Sequence, residues 1–313
     1  MYTPRPKSAA PPVAVGSYAQ THAPRSVLAA LVPLILHAAD YAGSDACKAC
    51  HPAEYAAQSK SAHARALAKG EPEWAFGAGQ QAITYVSQID GDTYLEHGLS
   101  YYPATKSKAL TPGHATSEGV KYRTFDPSSA ILRCFQCHST GPLSIAEGRK
   151  IAVSEMGIRC EGCHGPAAEH VTAKGGRFTV FNPKLLNGAG ANDFCGACHR
   201  KPPRPDEDTE WSNPWNVRHQ PVYLSQSSCF IKSAGSLTCM TCHEPHSGKT
   251  IDSCASCHQG VKHKAAVAGK TCASCHMPRA KAGDRLSFAN HWIGVYPPGN
   301  TLRPRAARGE GWR

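Results

Sequence analysis

The chain has 313 residues, with 34 lysines and arginines against 23 aspartates and glutamates, and a formal net charge of +11. Such a length usually gives about two domains with apolar cores, but 28 glycines, 24 prolines and only 8% aromatic residues leave little periodic apolar sequence to build them. The basic residues are scattered and form no stripe interleaved with aromatic residues, so we predict no nucleic-acid partner.

The first predicted element is an apolar segment, VLAALVPLILHAA at 27–39, which follows several basic residues ending at Arg25. Basic residues, then a short apolar run, then small residues are typical of a secretory signal. The run is too short to span a bilayer stably, and Pro33 interrupts it. We therefore predict a signal peptide over 1–39 and a periplasmic or extracellular location. An uncleaved membrane anchor is the alternative.

After this segment the pattern Cys-x-x-Cys-His occurs seven times, and we number these motifs 1 to 7 in chain order. Their cysteines are Cys47 and Cys50, Cys134 and Cys137, Cys160 and Cys163, Cys195 and Cys198, Cys239 and Cys242, Cys254 and Cys257, and Cys272 and Cys275. Their histidines are His51, His138, His164, His199, His243, His258 and His276.

This pattern suits c-type haem, because two thiols bond the porphyrin vinyl groups and the histidine reaches the iron from one side. A zinc ribbon or a thiol-disulfide site would not require the histidine. We predict seven covalently attached c-type haems. Their propionates add roughly −14 charges, which brings the holoprotein close to neutral. The lysines and arginines are then expected to pair with propionates.

With haem supplying most of the apolar surface, we predict a mainly α fold with much irregular structure and one β-hairpin, organised around a haem chain. A helix is predicted over Pro52–Lys69 and the hairpin over 80–102, where polar and apolar residues alternate around Asp90-Gly91. The predicted divisions are a signal over 1–39, the first haem site plus the hairpin over 40–130, haem sites two to four plus a linker over 131–225, haem sites five to seven over 226–296, and a disordered tail over 297–313.

The second axial ligand of each iron decides between electron transfer and reaction with small molecules. Met156 is the one methionine outside the signal and away from the motifs. Eight histidines outside the motifs and the signal are therefore the predicted ligands, one more than the irons require: His63, His97, His114, His170, His219, His246, His263 and His291.

Some of these histidines can be placed further. His170 and His246 lie too close to their own motifs to cross their own haem, so we expect them to reach a neighbouring haem. His263 lies midway between motifs 6 and 7. Cys229 belongs to no motif. Three roles remain open for its thiol: an inert buried thiol, a partner in an intermolecular disulfide, and an iron ligand.

The sequences around the motifs resemble a known family. They include CKACH with SAHARA, CFQCHST, CEGCHGPAAEH, CGACHRK, CMTCHEPHS, and GKTCASCHMPR with NHWIGV. Over roughly 45–296 they are similar to the tetrahaem cytochrome c family that partners hydroxylamine oxidoreductase, and to the haem portion of tetratricopeptide-repeat multihaem cytochromes. The resemblance implies bis-histidine haems, close haem pairs and electron transfer. No repeats follow residue 296, so partner binding through such repeats is not expected here.

The residues and the resemblance together predict an exported seven-haem c-type cytochrome that transfers electrons through bis-histidine haems. Its predicted partners are redox proteins that act as donor and acceptor, with a membrane-associated quinol oxidase or an extracellular haem assembly as partner classes. The alternative is a multihaem oxidoreductase that acts on a small nitrogen or sulfur compound at one open-faced haem. No catalytic residue is predicted.

The number of haems and the predicted cleavage can be checked together by intact mass. The exported protein should weigh as much as the polypeptide from Ala39 or Asp40 onward plus seven haems. Denaturation should release no haem, because thioether bonds are covalent. A homogeneous sample with fewer haem masses would show that a motif is unused. A polypeptide that keeps residues 1–30 would contradict the signal.

Overall fold

The computed structural model of the protein describes residues 40–70, 73–124, 130–176, 180–204, 206–263 and 269–305. The predicted signal at 1–39 and positions 306–313 of the predicted tail lie outside these ranges. The described residues belong to one compact unit, Ala39–Arg313. Across these ranges, we find no helix with the length and apolar character needed to cross a membrane.

The helices are short, and most carry one motif each. In the described ranges they are α1 (Pro52–Gln58), α2 (Ala130–His138), α3 (Cys160–His164), α4 (Ala168–Thr172), α5 (Gly188–His199), α6 (Gln220–Leu224), α7 (Ser228–Lys232), α8 (Cys239–Cys242), α9 (Cys254–Cys257) and α10 (Cys272–His276). Single 3₁₀ turns lie at Ser44–Cys47, Glu147–Arg149, Pro183–Leu185 and Pro214–Arg218. Helices of this length are marginal in water on their own, so packing must hold them.

The described residues also contain eleven strands: β1 (Leu67–Lys69), β2 (Trp74–Phe76), β3 (Thr84–Asp90), β4 (Thr93–Glu96), β5 (Leu99–Tyr102), β6 (Ser107–Leu110), β7 (Val120–Arg123), β8 (Ser139–Ile145), β9 (Ile151–Met156), β10 (Arg279–Lys281) and β11 (Ser287–Ala289). Five form an antiparallel sheet in the order β1-β2-β3-β4-β7. The pairs β5-β6, β8-β9 and β10-β11 form three two-stranded sheets.

The predicted fold class, mainly α with a single β-hairpin, is therefore wrong. The hairpin at Asp90-Gly91 is present as β3-β4, where Asp90 pairs with Thr93. The other strands escape prediction because most span only three or four residues, too few for alternation to be recognised. The longer β8 contains Gly141-Pro142, a pair that indicates a turn rather than a strand.

The main core lies where the five-stranded sheet packs on α2. Phe135 is fully buried and makes edge-on ring contacts with Trp74 and Phe76, at centroid distances of 5.1 and 5.0 Å. The remaining buried members of this core are Leu67, Val86, Tyr94, Ile131 and Ile151. Since Phe135 stands between the two cysteines of motif 2, this core fixes motif 2 directly on the sheet.

A second core forms near the end of the described chain. Trp211 contacts Tyr223 and Trp292 at ring-centroid distances of 5.2 and 5.1 Å. Nearby, the buried Asn290 amide donates hydrogen bonds to the carbonyls of Thr301 and Leu302, at 2.8 and 3.0 Å. Residues 297–305 of the predicted tail are therefore held against this second core.

Replacement of Phe135 by Ala should lower the free energy of unfolding by about 3–5 kcal/mol, since it leaves a cavity in the main core. The matched control is Gln136→Ala, because Gln136 is the neighbouring, exposed residue of the same motif. The control should change stability by less than about 0.5 kcal/mol. Denaturant unfolding of the two holoproteins measures the difference, and equal losses would contradict the packing described.

Candidate haem centres

The backbone of the motifs forms a helical turn that brings both cysteines and the histidine to one side. The His51 amide donates to the Cys47 carbonyl at 2.9 Å, and His243 and His258 donate in the same way to Cys239 and Cys254. Residues three and four positions apart share a face of a helix. Each such turn therefore presents two thiols and one imidazole together, as a porphyrin requires.

Five motif histidines lie opposite a histidine from outside the motifs. The ring centroids of each pair are 6.1 to 6.4 Å apart. The pairs are His51 with His170, His199 with His63, His164 with His246, His243 with His291, and His276 with His263. Two imidazoles that bind one metal from opposite sides, with metal–nitrogen bonds of about 2 Å, have ring centres roughly 6 Å apart.

Hydrogen bonds orient several of these rings. The Nδ1 atoms of His164 and His276 donate to the carbonyls of Phe181 and Gly294, at 2.8 and 2.9 Å. Two partner rings are held likewise: His170 Nδ1 lies 3.1 Å from the Gly176 carbonyl, and His291 Nδ1 lies 3.0 Å from that of Ala289. A carbonyl only accepts, so the proton is on Nδ1 and the Nε2 lone pair stays available for a metal.

His246 is positioned by a carboxylate instead of a carbonyl. Its Nδ1 lies 3.2 Å from Glu244 Oε1. Hydrogen bonds from Ser247 and from the His246 backbone lower the pKa of the Glu244 carboxyl to about 2. Glu244 therefore remains an ionised acceptor over the ordinary pH range and fixes the His246 ring.

Burial keeps many of the rings neutral, which is the form of imidazole that binds metals. It lowers the pKa of His63, His199 and His243, and it lowers that of His291 to about 4. The folded chain therefore holds these imidazoles in the state that an iron needs.

The paired rings join distant parts of the chain. The partner of motif 4 is His63, which follows motif 1, and the partner of motif 1 is His170, which follows motif 3. His246 follows motif 5 and faces motif 3, while His291 follows motif 7 and faces motif 5. The His276–His263 pair is the exception, because these two residues are close together in the sequence.

Sulfur contacts show which motifs are neighbours in the first half of the chain. Cys198 is close enough to Cys137 to lower the pKa of the Cys137 thiol to about 6. Burial, followed by the smaller effect of the neighbouring Cys160, raises the pKa of the Cys47 thiol to about 12. Motif 2 therefore lies beside motif 4, and motif 1 lies beside motif 3.

The later motifs continue from motif 4. Cys163 of motif 3 interacts electrostatically with Cys195 of motif 4. Cys239 of motif 5, whose thiol donates to the Ala191 carbonyl at 4.0 Å, is close enough to Cys195 to lower the pKa of that thiol. Cys242 Sγ lies 3.3 Å from Ser253 Oγ, next to motif 6.

Motifs 6 and 7 meet at Asp252, Cys254 and Cys272, whose side-chain donor atoms lie within 4.8 Å of one another. Both cysteines belong to the haem motifs predicted from the sequence, so we interpret this cluster as the meeting point of two motifs rather than as a separate metal site. Interactions between side chains in or next to the motifs thus relate motifs 1, 3, 4, 5, 6 and 7 in that order, with motif 2 beside motif 4.

Within the described residues, His138 of motif 2 and His258 of motif 6 face no histidine ring. Three predicted ligands have other neighbours. His97 Nε2 lies 2.8 Å from Ser87 Oγ, and His114 Nε2 lies 3.4 Å from Glu96 Oε2. Arg200 donates to His219 Nδ1 at 3.5 Å.

Cys229, the cysteine outside the motifs, is half-buried on α7. Burial raises the pKa of its thiol, and the neighbouring Cys242 and Cys257 add to this shift. A raised pKa lowers the thiolate fraction and hence the reactivity of the thiol. The environment therefore favours an inert thiol among the roles considered for Cys229.

Glu161 is a structural residue that the sequence did not reveal. It stands between the cysteines of motif 3 and is 3% exposed. Its carboxylate accepts three backbone hydrogen bonds of 2.8 Å: Oε1 from Ala42 and Ala167, and Oε2 from Gly43. Glu161 thereby fixes the start of the described chain to motif 3.

The thiol pairs, the spaced imidazoles and their outer hydrogen bonds fit covalently bound c-type haem. Comparison with known proteins agrees, because the chain is similar to multihaem c-type cytochromes. A family model described as "Cytochrome c554 and c-prime" matches residues 100–165, which include motifs 2 and 3.

The individual relatives share only a small fraction of identical residues with this chain. The chain is 26% identical over 177 residues to "Multiheme cytochrome MtrA" of Shewanella baltica (strain OS185), covering 48% of this chain and 46% of that relative. The fold is similar to that of the outer cell wall cytochrome OcwA, with a TM-score of 0.52 and 17% identity over 81% of this chain and 79% of OcwA. An undecahaem S-layer cytochrome of Carboxydothermus ferrireducens gives a TM-score of 0.44 at 16% identity, over 82% of this chain and 52% of that one.

Glu161→Gln should destabilise the holoprotein by about 1–3 kcal/mol, because the amide group cannot accept from all three buried N–H groups. Glu169→Gln is the control, since Glu169 is exposed and only a few residues away. Denaturant unfolding should separate the two variants while haem content stays unchanged. Equal stability of the two variants would refute a structural role for Glu161.

Proposed function

We propose that this chain is an exported seven-haem c-type cytochrome that carries electrons between redox partner proteins. The observation that carries the proposal is the set of five histidine pairs, each joining one motif histidine to one histidine outside the motifs at 6.1 to 6.4 Å. An iron with an imidazole on both sides has no site left for substrate, so it exchanges electrons.

The bound haem supplies one-electron chemistry at its iron, and the residues of this chain set where and how readily that happens. The thiols fix the position of each centre, and the paired imidazoles determine its coordination. Two histidines, rather than a histidine and a methionine, favour low potentials. The chain thus acts by holding several similar centres in a fixed order.

We infer the order of those centres from the interactions between side chains of neighbouring motifs. They support a continuous route through motifs 1, 3, 4, 5, 6 and 7, with motif 2 as a branch at motif 4. At the far end of this route, His258 and much of motifs 6 and 7 are exposed. We propose that electrons pass to or from a partner at this end.

The proposed location is the periplasm or the cell exterior. It is supported by the apolar segment at 27–39 and by the similarity in fold to the outer cell wall cytochrome OcwA. The proposed partner is a membrane-associated quinol oxidase or an extracellular haem assembly.

Removal of a paired histidine should open one iron without releasing its haem. His170→Ala and His263→Ala should each add one high-spin iron to the electron paramagnetic resonance spectrum of the oxidised protein. Each should also bind one more carbon monoxide per chain when reduced. Thioether attachment does not involve these residues, so the intact mass should show an unchanged number of haems.

His97→Ala is the control for these variants, because His97 contacts Ser87 rather than another imidazole. It should leave the spin states and the carbon monoxide stoichiometry as they are. Unchanged spectra for both His170→Ala and His263→Ala would show that these histidines are not ligands, and would remove the main support for the proposal.

A further inference from the structure

We propose that Glu244 is a positioning residue that acts through His246 to lower the reduction potential of the iron held at motif 3. The inference rests on the proposed function, because it takes the His164–His246 pair as the two axial ligands of that iron. It deepens that function by naming a side chain that decides how tightly one centre of the route holds its electron.

The inference starts from the group that accepts one imidazole N–H. His246 Nδ1 lies 3.2 Å from Glu244 Oε1, so this ring donates to a carboxylate. An ionised carboxylate carries a full negative charge and is a stronger acceptor than a neutral carbonyl. Four other paired rings donate to backbone carbonyls, namely those of His164, His170, His276 and His291. Motif 3 therefore has a neutral acceptor behind His164 and a charged one behind His246.

The carboxylate is fixed by the residues that follow it. Glu244 Oε1 accepts from the backbone N–H of His246 at 3.1 Å, and Oε2 accepts from that of Ser247 at 2.6 Å. The hydrogen bonds from Ser247 and then from the His246 backbone hold the pKa of the Glu244 carboxyl well below its usual range. Both oxygens are thus engaged, and the acceptor of the His246 ring is an anion with a set position.

Backbone hydrogen bonds close the loop that carries these residues. The Glu244 N–H donates to the Lys249 carbonyl at 2.9 Å, and the Gly248 N–H donates to the Glu244 carbonyl at 2.8 Å. His243 and Thr250 form an antiparallel bridge directly outside the loop. The loop therefore presents the imidazole and its carboxylate together, as one rigid unit.

An anionic acceptor changes the balance between the two states of the iron. It draws the Nδ1 proton toward itself and makes the imidazole a more basic, more electron-donating ligand. A more donating ligand stabilises Fe(III), which carries one positive charge more than Fe(II), and so lowers the reduction potential. The reaction remains a one-electron exchange with the neighbouring centres. The iron passes between Fe(III) and Fe(II), and the proton stays on His246.

The position of motif 3 gives this effect a consequence for the route. Motif 3 lies between motif 1 and motif 4. A low potential at motif 3 means that an electron arriving there is held loosely and passes on to a neighbouring centre. Glu244 would thus keep motif 3 as a point of passage rather than a point of storage.

Glu244→Gln tests the inference in the holoprotein. The amide oxygen can still accept from the ring, so the coordination should persist while the charge is lost. Spectroelectrochemical titration should show one reduction potential rising, with the other steps moving less. Intact mass should give an unchanged number of haems, and electron paramagnetic resonance should show no additional high-spin iron.

Glu169→Gln is the matched control. Glu169 is exposed and directly precedes His170, whose Nδ1 lies 3.1 Å from the Gly176 carbonyl. The control removes an equal charge beside another axial ligand and leaves the acceptor of that ligand unchanged. Its potentials should therefore shift by less than those of Glu244→Gln. Shifts of equal size would show that only the net charge matters, and the inference would be wrong.

A second pair of variants tests whether Glu244 acts through His246. When His246→Ala is already present, the addition of Glu244→Gln should leave the potentials nearly unchanged. A shift as large as in the unmodified protein would assign the effect to another centre, such as motif 5, whose His243 directly precedes Glu244. That result would overturn the inference.

A measurement on the unmodified protein decides the matter even if a variant fails to fold. Near-infrared magnetic circular dichroism of the oxidised protein should show one low-spin centre with its charge-transfer band at higher energy than the others. The reason is that a more donating imidazole raises the iron orbital that receives the electron. Bands of equal energy at all low-spin centres would contradict a special role for Glu244.

The same data separate this inference from the proposed function. If the potentials do not respond to Glu244→Gln while every paired iron stays low-spin, the inference fails and the electron-transfer proposal stands. If His246→Ala instead produces no high-spin iron, His246 is not a ligand. The inference would then fail together with one of the five pairs that support the proposed function.

Discussion

Under the proposed ligation, the structure depends on one geometric constraint: two imidazoles must stand roughly 6 Å apart, leave room for an iron between them, and keep their Nε2 atoms free. Five pairs meet this constraint within 6.1 to 6.4 Å. Most other features can be traced to it. Backbone carbonyls hold the Nδ1 atoms, burial keeps the rings neutral, and short helical turns present the thiols on the same side.

The β-structure supplies the rigidity that the short helices lack. The five-stranded sheet places Trp74 and Phe76 against Phe135, and this contact anchors motif 2. Glu161 has a corresponding role for motif 3, because its carboxylate binds the start of the described chain. Residues between the two cysteines of a motif are therefore more than spacers, since two of them hold their motifs in the fold.

The sequence was sufficient to indicate c-type haem and to predict a similarity to multihaem cytochromes, because Cys-x-x-Cys-His is a local pattern that a single turn satisfies. It was insufficient for the sheets, because strands such as Trp74–Phe76 are too short to show a period. The helix predicted over Pro52–Lys69 ends at Gln58, after which turns carry His63 toward His199. The pairing of histidines with motifs depends on contacts between distant segments. Residue spacing alone does not predict such contacts.

The crossed pairing of histidines has a consequence for biogenesis. A secreted chain emerges from its N-terminus, but under the proposed ligation motif 1 waits for His170, motif 3 for His246 and motif 5 for His291. Early centres would remain half-coordinated until later segments have crossed the membrane. Coordination would then be completed step by step as each later segment crosses, and motif 5 would wait for His291, so that loss of the last few dozen residues would damage a centre whose motif had crossed earlier.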